Sequence, residues 1–336
     1  MNKLINCLIN KNPCLPIWFM RQAGRYLPEF QKVRSQNQNF IKLCLNSELS
    51  SKITLQPMSR FDLDAAIIFS DILMVPHSLG QKVRFEKNIG PILEKIDIDK
   101  VLNKNPKDFE KELAPIYDAI KKTRNKLDKN KSLISFVGSP WTLIVYMLGL
   151  KNEKSVLNLD LYNKKKKEIK LLLDKLTFFL KIHIKNQVDS GANVVQIFDS
   201  WAGLLPLEEL NNNVYIPNKK LVELCKEIKI PVICFPKGIK ENYLNFSKIV
   251  KPDCLSIDYD IKPEWARDNL KDICIQGGLD PKILLLDEKK IFDQAKIYLK
   301  TFKNFPYIFN LGHGLLPKTN PDRVQSLIKF VRNYDK

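Results

Sequence analysis

Eight short apolar runs, spread along the whole chain, are the feature that most limits what this sequence can fold into. The runs are rich in β-branched or aromatic residues, lack regular polar alternation and lie near turn residues: IWFM (17–20), AAIIFS (65–70), LISFVG (133–138), VVQIFD (194–199), VICFPK (232–237), CLSIDY (254–259), CIQGGL (274–279) and YIFNLG (307–312). This pattern is typical of strands that are buried on both faces, as in a parallel sheet covered by helices.

Segments with helical periodicity separate most of these runs. They lie around 107–127, 161–189, 218–228, 285–301 and 321–334, and Asn320 and Pro321 open the last one in N-cap and first-turn positions. Alternating strands and helices imply parallel βαβ units, and eight of them predict an α/β fold: a single (β/α)8 TIM-type barrel domain over residues 1–336. The competing open, doubly wound sheet is less favoured because no G-x-G-x-x-G fingerprint follows the first run and no P-loop is present.

The formal net charge of +18 would fit a nucleic acid, an anionic membrane surface or a polyanionic small molecule as partner. Most of this charge comes from lysines scattered over helical segments, and the sequence shows neither a nucleic-acid-binding module nor a run of 18 apolar residues. We therefore expect no nucleic acid and no membrane as partner; a basic nucleic-acid-binding protein is the alternative that charge alone suggests. Seven irregularly spaced cysteines without a CxxC pair predict reduced thiols in a cytoplasmic protein.

A polar residue follows each of the eight runs or, in the sixth, lies at its end. In a (β/α)8 barrel, the residues after the carboxyl ends of the strands build the active site. The residues in these places are Arg21, Arg25, Asp71, Ser139, Tyr146, Ser200, Lys237, Asp258, Asp280 and His313. His77 and His183 are interpreted as structural.

This set predicts a binding site for an anion. Arg21 and Arg25 are like charges at a spacing that is unfavourable on a helix, and Gly24 between them lets backbone approach a ligand. His313 lies between two glycines, which favours a ligand-facing side chain over a packed one. Several cations, a solitary carboxylate and hydroxyl donors suit a substrate with many carboxylates around a cationic or NH-bearing centre. The sequence has no metal-grade Cys/His cluster and no G-x-S-x-G elbow.

Six blocks of the sequence, in this order, closely resemble the uroporphyrinogen decarboxylase family: FMRQAGRYLPEF (19–30), LDAAIIFSDIL (63–73), GSPWTLIVYM (138–147), VVQIFDSWAG (194–203), QGGLDP (276–281) and FNLGHG (309–314). The resemblance extends from about residue 13 to about residue 325. It implies a cytoplasmic homodimer of single-domain (β/α)8 barrels. It also implies an enzyme that removes CO2 from the four acetate side chains of uroporphyrinogen III, giving coproporphyrinogen III in haem biosynthesis without a metal or organic cofactor.

The resemblance also assigns site residues by motif. The substrate-binding set is Arg21, Gln22, Ala23, Gly24, Arg25, Asp71, Tyr146, Ser200 and His313, and Arg34 matches a further family arginine near the cleft. Asp71 is placed beneath the macrocycle, where it accepts pyrrole NH groups and stabilises positive charge, and Arg21 is the candidate proton donor. Tyr146 and Ser200 orient an acetate through their hydroxyls. Lys237, Asp258 and Asp280 receive no role.

Three departures from the family pattern stand out. Gly278 stands where the family usually has asparagine, and Ser47 stands where proline is frequent. The segment MLGLKNEKS (147–155) replaces a loop over the cleft that is commonly glycine-rich. The last bears on loop mobility and substrate entry. The closest rival is a zinc-dependent methyltransferase of the same superfamily, which needs a His-x-Cys pair and a later cysteine; no histidine here has that neighbour.

Overall fold

A seven-stranded parallel sheet organises the computed structural model, which describes residues 2–86, 90–152 and 155–334. In chain order the strands are β1 (Ala65–Ile67), β2 (Val83–Glu86), β3 (Gly90–Leu93), β4 (Ser132–Gly138), β5 (Val194–Asp199), β6 (Val232–Pro236), β7 (Cys254–Ile257), β8 (Cys274–Gly277) and β9 (Tyr307–Ile308). The sheet has the order β1-β4-β5-β6-β7-β8-β9, so each of its strands pairs with the next strand of the same sheet. β2 and β3 pair in a separate two-stranded antiparallel sheet that the sequence did not predict.

Helices precede the sheet and connect its strands. They are α1 (Lys3–Asn10), α2 (Pro28–Gln36), α3 (Phe40–Cys44), α4 (Ser47–Arg60), α5 (Met74–Ser78), α6 (Ile98–Leu102), α7 (Pro106–Lys126), α8 (Pro140–Met147), α9 (Leu159–Lys164), α10 (Lys166–Asp189), α11 (Leu207–Leu210), α12 (Ile216–Glu227), α13 (Tyr243–Val250), α14 (Pro263–Asn269), α15 (Glu288–Thr301) and α16 (Pro321–Asn333). Short 3-10 turns lie at Ala202–Leu204, Lys240–Asn242 and Pro281–Leu285, and a π-helical turn lies at Asn211–Tyr215. The alternation of strands and helices confirms the predicted βαβ units.

The predicted helices are present, with one interruption. The segment predicted at 161–189 is two helices, α9 and α10, separated at Lys165. The predicted start of α16 is confirmed in detail, because Pro321 is its first residue and the Asn320 side chain accepts a hydrogen bond from the backbone N–H of Asp322 at 2.8 Å. Among the described residues, every helix is too short or too polar to cross a membrane.

The prediction that the first apolar run is a strand was wrong. Ile17 makes only an isolated parallel bridge to Phe309, although the backbone N–H of Asp64 also donates to the Ile17 carbonyl oxygen at 2.8 Å. The Trp18 N–H donates to the Phe309 carbonyl oxygen at 3.4 Å, but the two backbone N–H groups after it bind side chains. That of Phe19 donates to Gln22 Oε1 at 3.0 Å, and that of Met20 donates to an asparagine Oδ1 at 3.1 Å. At Phe19 and Met20, side-chain amides thus take the place of the backbone hydrogen bonds that join neighbouring strands. The run lies between β9 and β1 without being a strand.

One face of the sheet curls around its own hydrophobic cluster. Buried side chains from all seven strands belong to this cluster, together with Trp18 and Met20 of the first run and Leu4, Cys7 and Leu8 of α1. A polar layer crosses the same interior: Trp18 Nε1 donates to Gln276 Oε1 at 2.8 Å, and Gln276 Nε2 donates to Gln196 Oε1 at 3.2 Å. The sheet is therefore strongly curved, since β5, β8 and the first run meet across its concave side.

Most of the remaining core lies between the sheet and the helices. His183 of α10 is buried there, within 3.0 Å of the Tyr117 hydroxyl and 2.9 Å of Gln187 Nε2, and burial lowers its pKa to about 3. This position supports the structural interpretation of His183. All seven cysteines are free thiols.

Candidate active site

The polar residues predicted after the strands lie at one edge of the sheet, because all seven strands are parallel and their carboxyl ends share that edge. Ser200 follows β5 directly, and Lys237 follows β6. Tyr146 is on α8, the helix that follows β4. His313 lies in the irregular segment after β9.

Arg21 lies near Asp71, Tyr146 and His313 at this edge. Its backbone has a left-handed φ of 61°, and its side chain passes over Gly314, where a Cβ atom would come within 2.4 Å of Arg21 Cδ. The residue as a whole is exposed, but the surrounding protein removes much of the hydration of its guanidinium. Desolvation therefore lowers the pKa of Arg21, Asp71 opposes this shift, and the like charge of Arg25 adds to it.

Gln22 belongs to the wall of the site. Its side chain is fully buried, with Oε1 accepting from the Phe19 N–H and Nε2 donating to the Ala65 carbonyl oxygen at 3.0 Å. It therefore fastens the start of the arginine segment to β1, and its side-chain amide faces protein.

Ala23 and Gly24 complete the tight turn between the two arginines, and both are half-buried. A Cβ atom at residue 24 would lie 2.8 Å from the Arg21 carbonyl oxygen, and the Leu27 N–H donates to the Gly24 carbonyl oxygen. The close approach that requires a glycine here is thus an approach to the chain's own backbone.

The other two candidate arginines differ in freedom. Arg25 is exposed and near enough to Arg21 to influence its pKa. Arg34, near the end of α2, donates to the carbonyl oxygen of Asn37, and its guanidinium carbon lies 5.7 Å from the ring centroid of Phe40. Arg34 is therefore held by its own segment, whereas the Arg25 side chain points to solvent.

Asp71 is the carboxylate of the site. Its Oδ1 accepts the Leu73 N–H at 2.9 Å, and its other carboxylate oxygen has no hydrogen-bond partner in the described part of the chain. Burial raises the pKa of Asp71 to about 6, while the Leu73 hydrogen bond and the charge of Arg21 act in the opposite direction. This carboxyl group can therefore accept a hydrogen bond from a ligand with one oxygen while the other stays fixed.

Tyr146 and Ser200 both adjoin Trp201, Tyr146 through a ring contact and Ser200 as its neighbour in sequence. The rings of Tyr146 and Trp201 are 5.9 Å apart and inclined at 66°. Burial raises the pKa of Tyr146, and the charge of Asp71 adds to the shift, so its hydroxyl stays protonated. Ser200 is half-buried, and no hydrogen bond of its hydroxyl is found among the described residues. The site thus offers two neutral hydroxyl donors.

A buried carboxylate that the sequence analysis missed supports this corner. Asp199, the last residue of β5, accepts hydrogen bonds from Thr142 Oγ1 at 2.7 Å and Asn218 Nδ2 at 2.9 Å. The Thr142 hydroxyl in turn accepts the Trp201 N–H at 3.1 Å. Burial raises the pKa of Asp199 to about 6. The signal was visible, since this aspartate ends an apolar run just before Ser200.

His313 is a neutral hydrogen-bonding group. Burial, together with the smaller effect of the positive charges of Arg21 and Lys237, lowers its pKa to about 3. The Gly314 N–H donates to Nδ1 at 2.6 Å. Because Nδ1 is an acceptor, this hydrogen bond assigns the single ring proton to Nε2, which is left as a donor for a ligand.

Two of the three strand-end residues without an assigned role have structural ones. Asp258 is buried and accepts hydrogen bonds from the Gly238 N–H and the Tyr243 hydroxyl. Asp280 caps the 3-10 turn that follows β8 by accepting the Lys282 N–H. The third strand-end residue without an assigned role is Lys237.

Two departures from the family pattern fit their surroundings. Gly278 has a φ of +99°, and a Cβ atom there would lie 2.5 Å from Tyr298 Cε1, so glycine matches the tyrosine that packs against it. Ser47 is the first residue of α4, behind the N-cap Asn46.

The third departure, the segment 147–155, reaches the site through one lysine. Lys151 forms an isolated bridge with Leu157, and its Nζ lies 4.9 Å from the ring centroid of Trp201. Residues 153–154 lie outside the described part of the chain. The altered segment therefore contacts the wall of the site beside Ser200.

Within the described ranges of the chain, neither a metal-binding cluster nor a large recess marks this edge. No group of three or more His, Cys, Asp or Glu side chains that could hold a metal ion exists among the residues described. A recess of about 690 Å³ lies against α2 and α4, and none of its lining residues is a candidate site residue. Volume alone thus does not identify the functional edge, whereas charge and topology do.

Comparison with known families decides the relationship of the chain. The sequence model of the family described as Uroporphyrinogen decarboxylase matches residues 7–334. The chain belongs to the uroporphyrinogen decarboxylase family.

Close relatives in this family are full-length matches. Curated proteins named Uroporphyrinogen decarboxylase from Rickettsia felis and Orientia tsutsugamushi are 42% and 41% identical; the alignments cover 100% and 99% of this chain and 98% and 99% of those proteins. The Rickettsia bellii protein of the same name is 43% identical over 95% of both chains. The resemblance inferred from six sequence blocks is therefore confirmed.

A solved structure is similar in fold. A methyltransferase from Methanosarcina mazei superposes with a TM-score of 0.79, covers 99% of this chain and 98% of its own, and is 15% identical. A B12-independent methionine synthase from Shewanella has a TM-score of 0.50 and is 11% identical, with coverage of 91% and 89%. At these identities the likeness shows a shared fold, and the family assignment favours decarboxylation over the rival methyltransferase activity.

Proposed function

We propose that the protein decarboxylates uroporphyrinogen III to coproporphyrinogen III, removing CO2 from each of four acetate side chains. The observation that carries this proposal is the Asp71 carboxylate, which has one unused oxygen and faces an edge that carries Arg21 and Arg25. A ring of pyrrole NH donors with carboxylates around its margin complements this arrangement.

The cations and neutral donors at the edge bind the substrate's carboxylates. Arg21 and Arg25 supply positive charge, and a hydrogen bond between charged partners contributes about 1.5–3 kcal/mol. His313 donates Nε2–H as a neutral group. Tyr146 and Ser200 direct their hydroxyls to the acetate that reacts, and Arg34 lies further out, at the end of α2.

The reaction needs an electron sink, and the substrate itself supplies one. A proton added to a pyrrole carbon beside the acetate makes the ring an iminium-like cation. The bond to the carboxylate then breaks, its electron pair moves into the ring, and CO2 leaves. A second proton converts the resulting methylene to methyl, and the proton first added to the ring carbon then leaves, which restores the pyrrole. Each cycle therefore has a net consumption of one proton and one carboxylate. Accordingly, the proposal includes no metal and no organic cofactor.

Asp71 stabilises the cation that forms in this sequence. Its ionised carboxylate accepts pyrrole NH groups, and its negative charge opposes the developing positive charge in a site that is partly shielded from water. Preorganised charge of this kind is usually the largest catalytic contribution. Arg21 is our candidate for the first proton donor, since desolvation lowers its pKa and so makes it a better acid than a solvated arginine.

We further propose that the curved sheet closes as a (β/α)8 barrel. The first apolar run would then occupy the position of the eighth strand, between β9 and β1. Hydrogen bonds of Ile17 to Asp64 and the bridge of Ile17 to Phe309 support this closure. We also propose that residues 1–336 form one such domain and that the protein is a homodimer. A cytoplasmic location is proposed as well, in keeping with the seven free thiols. Sedimentation equilibrium should give about twice the 39.0 kDa chain mass, and a monomer would contradict the dimer.

The decisive experiment uses chelator-treated protein and freshly reduced uroporphyrinogen III under anaerobic conditions. After the reaction, the products are oxidised to porphyrins and separated by carboxylate number. Conversion of the octacarboxylate to the tetracarboxylate without added cofactor is expected. An unchanged octacarboxylate with folded protein would overturn the proposed activity.

A further inference from the structure

Lys237 is a cation at the active-site edge whose backbone is fixed by neighbouring loops. Its N–H donates to the Asp199 carbonyl oxygen at 3.0 Å, and its own carbonyl oxygen accepts the Gly203 N–H at 2.9 Å. The next residue, Gly238, donates its N–H to the buried Asp258 at 2.6 Å. The residue after β6 is thus held from both sides, by the loops that follow β5 and β7.

The Lys237 side chain extends toward the His313 part of the cleft. Its Nζ lies 5.8 Å from the ring centroid of Tyr259. The backbone of Tyr259 packs against Gly312, where a Cβ atom would come within 2.5 Å of the Tyr259 nitrogen. Gly312 directly precedes His313, whose pKa is lowered by burial and by the positive charge of Lys237. The ammonium of Lys237 is therefore close enough to the imidazole of His313 to act on it electrostatically.

No carboxylate of the described residues forms an ion pair with Lys237, although this lysine is half-buried. The two acids that follow the next strands are engaged elsewhere: Asp258 by Gly238 and Tyr243, and Asp280 by the turn it caps. The ammonium group thus has no carboxylate partner in the described part of the chain and is available to pair with an anionic ligand.

We propose that Lys237 binds a peripheral carboxylate of the substrate, beside the Nε2–H donor of His313. This inference rests on the proposed function and adds a binding residue to it. The carboxylate is an acetate or a propionate, since both present the same group. Binding of this kind acts on the ground state and the transition state alike, so its loss affects KM rather than kcat.

The test replaces the charge and keeps the aliphatic chain. Lys237→Met should raise KM for uroporphyrinogen III about 10- to 100-fold, the effect of losing one charge-assisted hydrogen bond, with kcat within about threefold of wild type. Lys237→Arg should recover part of the loss. Lys248→Met is the matched control, because it removes the same charge from an exposed position on α13 of the same βα unit and should leave KM unchanged.

The intermediates separate the two carboxylate sources. If Lys237 binds a propionate, the KM increase persists for the heptacarboxylate, hexacarboxylate and pentacarboxylate substrates. If it binds an acetate, the increase disappears once that acetate has become a methyl group. An unchanged KM in folded, active Lys237→Met protein overturns the inference and leaves the proposed activity intact.

A binding measurement makes the inference independent of turnover. Quenching of uroporphyrin III fluorescence should show that Lys237→Met binds this porphyrin at least about 10-fold more weakly than wild type. Equal affinities would overturn the role of Lys237 even if the wild-type protein did not decarboxylate.

Discussion

The Arg21 side chain lies directly over Gly314, so that a Cβ atom at Gly314 would come within 2.4 Å of Arg21 Cδ. The two residues are far apart in sequence and meet because the segment after β9 returns beside the first apolar run. Glycine at this position leaves the space through which the guanidinium reaches the cleft.

Gly314→Ala should therefore displace Arg21 and lower kcat/KM by about 10- to 100-fold, since a small misplacement of a binding group costs this much. Thermal unfolding should change little, because a side chain rather than backbone moves. Steady-state kinetics with uroporphyrinogen III measure the effect. In an Arg21→Ala background the same glycine substitution should have no further effect, and additive losses would contradict the contact.

Asp71 should give the pH profile of kcat/KM an acidic limb. Its pKa is raised to about 6 by burial, so the ionised form that stabilises the cation is lost as pH falls below this value. We expect kcat/KM to rise with pH up to about 6 and then level off. Asp71→Asn and Asp71→Gly should lose activity by about 100-fold or more, and Asp71→Glu should retain a little. Full turnover by Asp71→Gly would refute the central role.

The same carboxyl group should also affect how the free energy of unfolding depends on pH. Its pKa in the folded protein lies above the ordinary value of 3.8, so the folded state holds the proton more tightly than the unfolded state. Its contribution to the free energy of unfolding is complete below about pH 4 and is lost as pH rises through about 6. Urea unfolding of wild type and Asp71→Asn over this range should show a smaller pH dependence in the variant.

Thr142 should stabilise the corner that holds Ser200. Its hydroxyl joins Asp199 to the Trp201 N–H, so Thr142→Val leaves two buried groups short of a partner and should lower the free energy of unfolding by about 1–3 kcal/mol. Thr177→Val is the control, because the Thr177 hydroxyl donates only to the Leu173 carbonyl oxygen within its own helix. Urea unfolding compares the two, and equal losses would argue against the network.

Asp64 joins both ends of the chain to the sheet. Its Oδ2 accepts the Ile17 N–H and a hydrogen bond from Arg332 of α16, each at 2.7 Å. Arg332→Met should lower the free energy of unfolding by about 1–3 kcal/mol, because a buried carboxylate loses a charged donor. Lys220→Met, which removes an exposed ion pair with Asp174, should change it by less than about 1 kcal/mol. Calorimetry or denaturant titration of both variants tests this difference.

Local pattern in the sequence was sufficient for much of the fold. Seven of the eight apolar runs contain strands of the sheet, and Asn320 with Pro321 marked the start of α16, because burial on both faces and helix capping depend on a few adjacent residues. Position after a strand also singled out Asp71, His313 and Lys237. Parallel strands bring such positions to one edge whatever the details of packing.

The tertiary structure decided what depends on partners distant in sequence. The first run is not a strand because the Met20 N–H binds Asn310, 290 residues away, instead of a neighbouring ladder. The neutral state and tautomer of His313 follow from burial, two nearby cations and the Gly314 N–H. Sequence alone thus determined which residues reach the active-site edge. Only the folded chain decided their protonation, their hydrogen bonds and which of them remain free to bind a ligand, since these depend on the complete surroundings of each group.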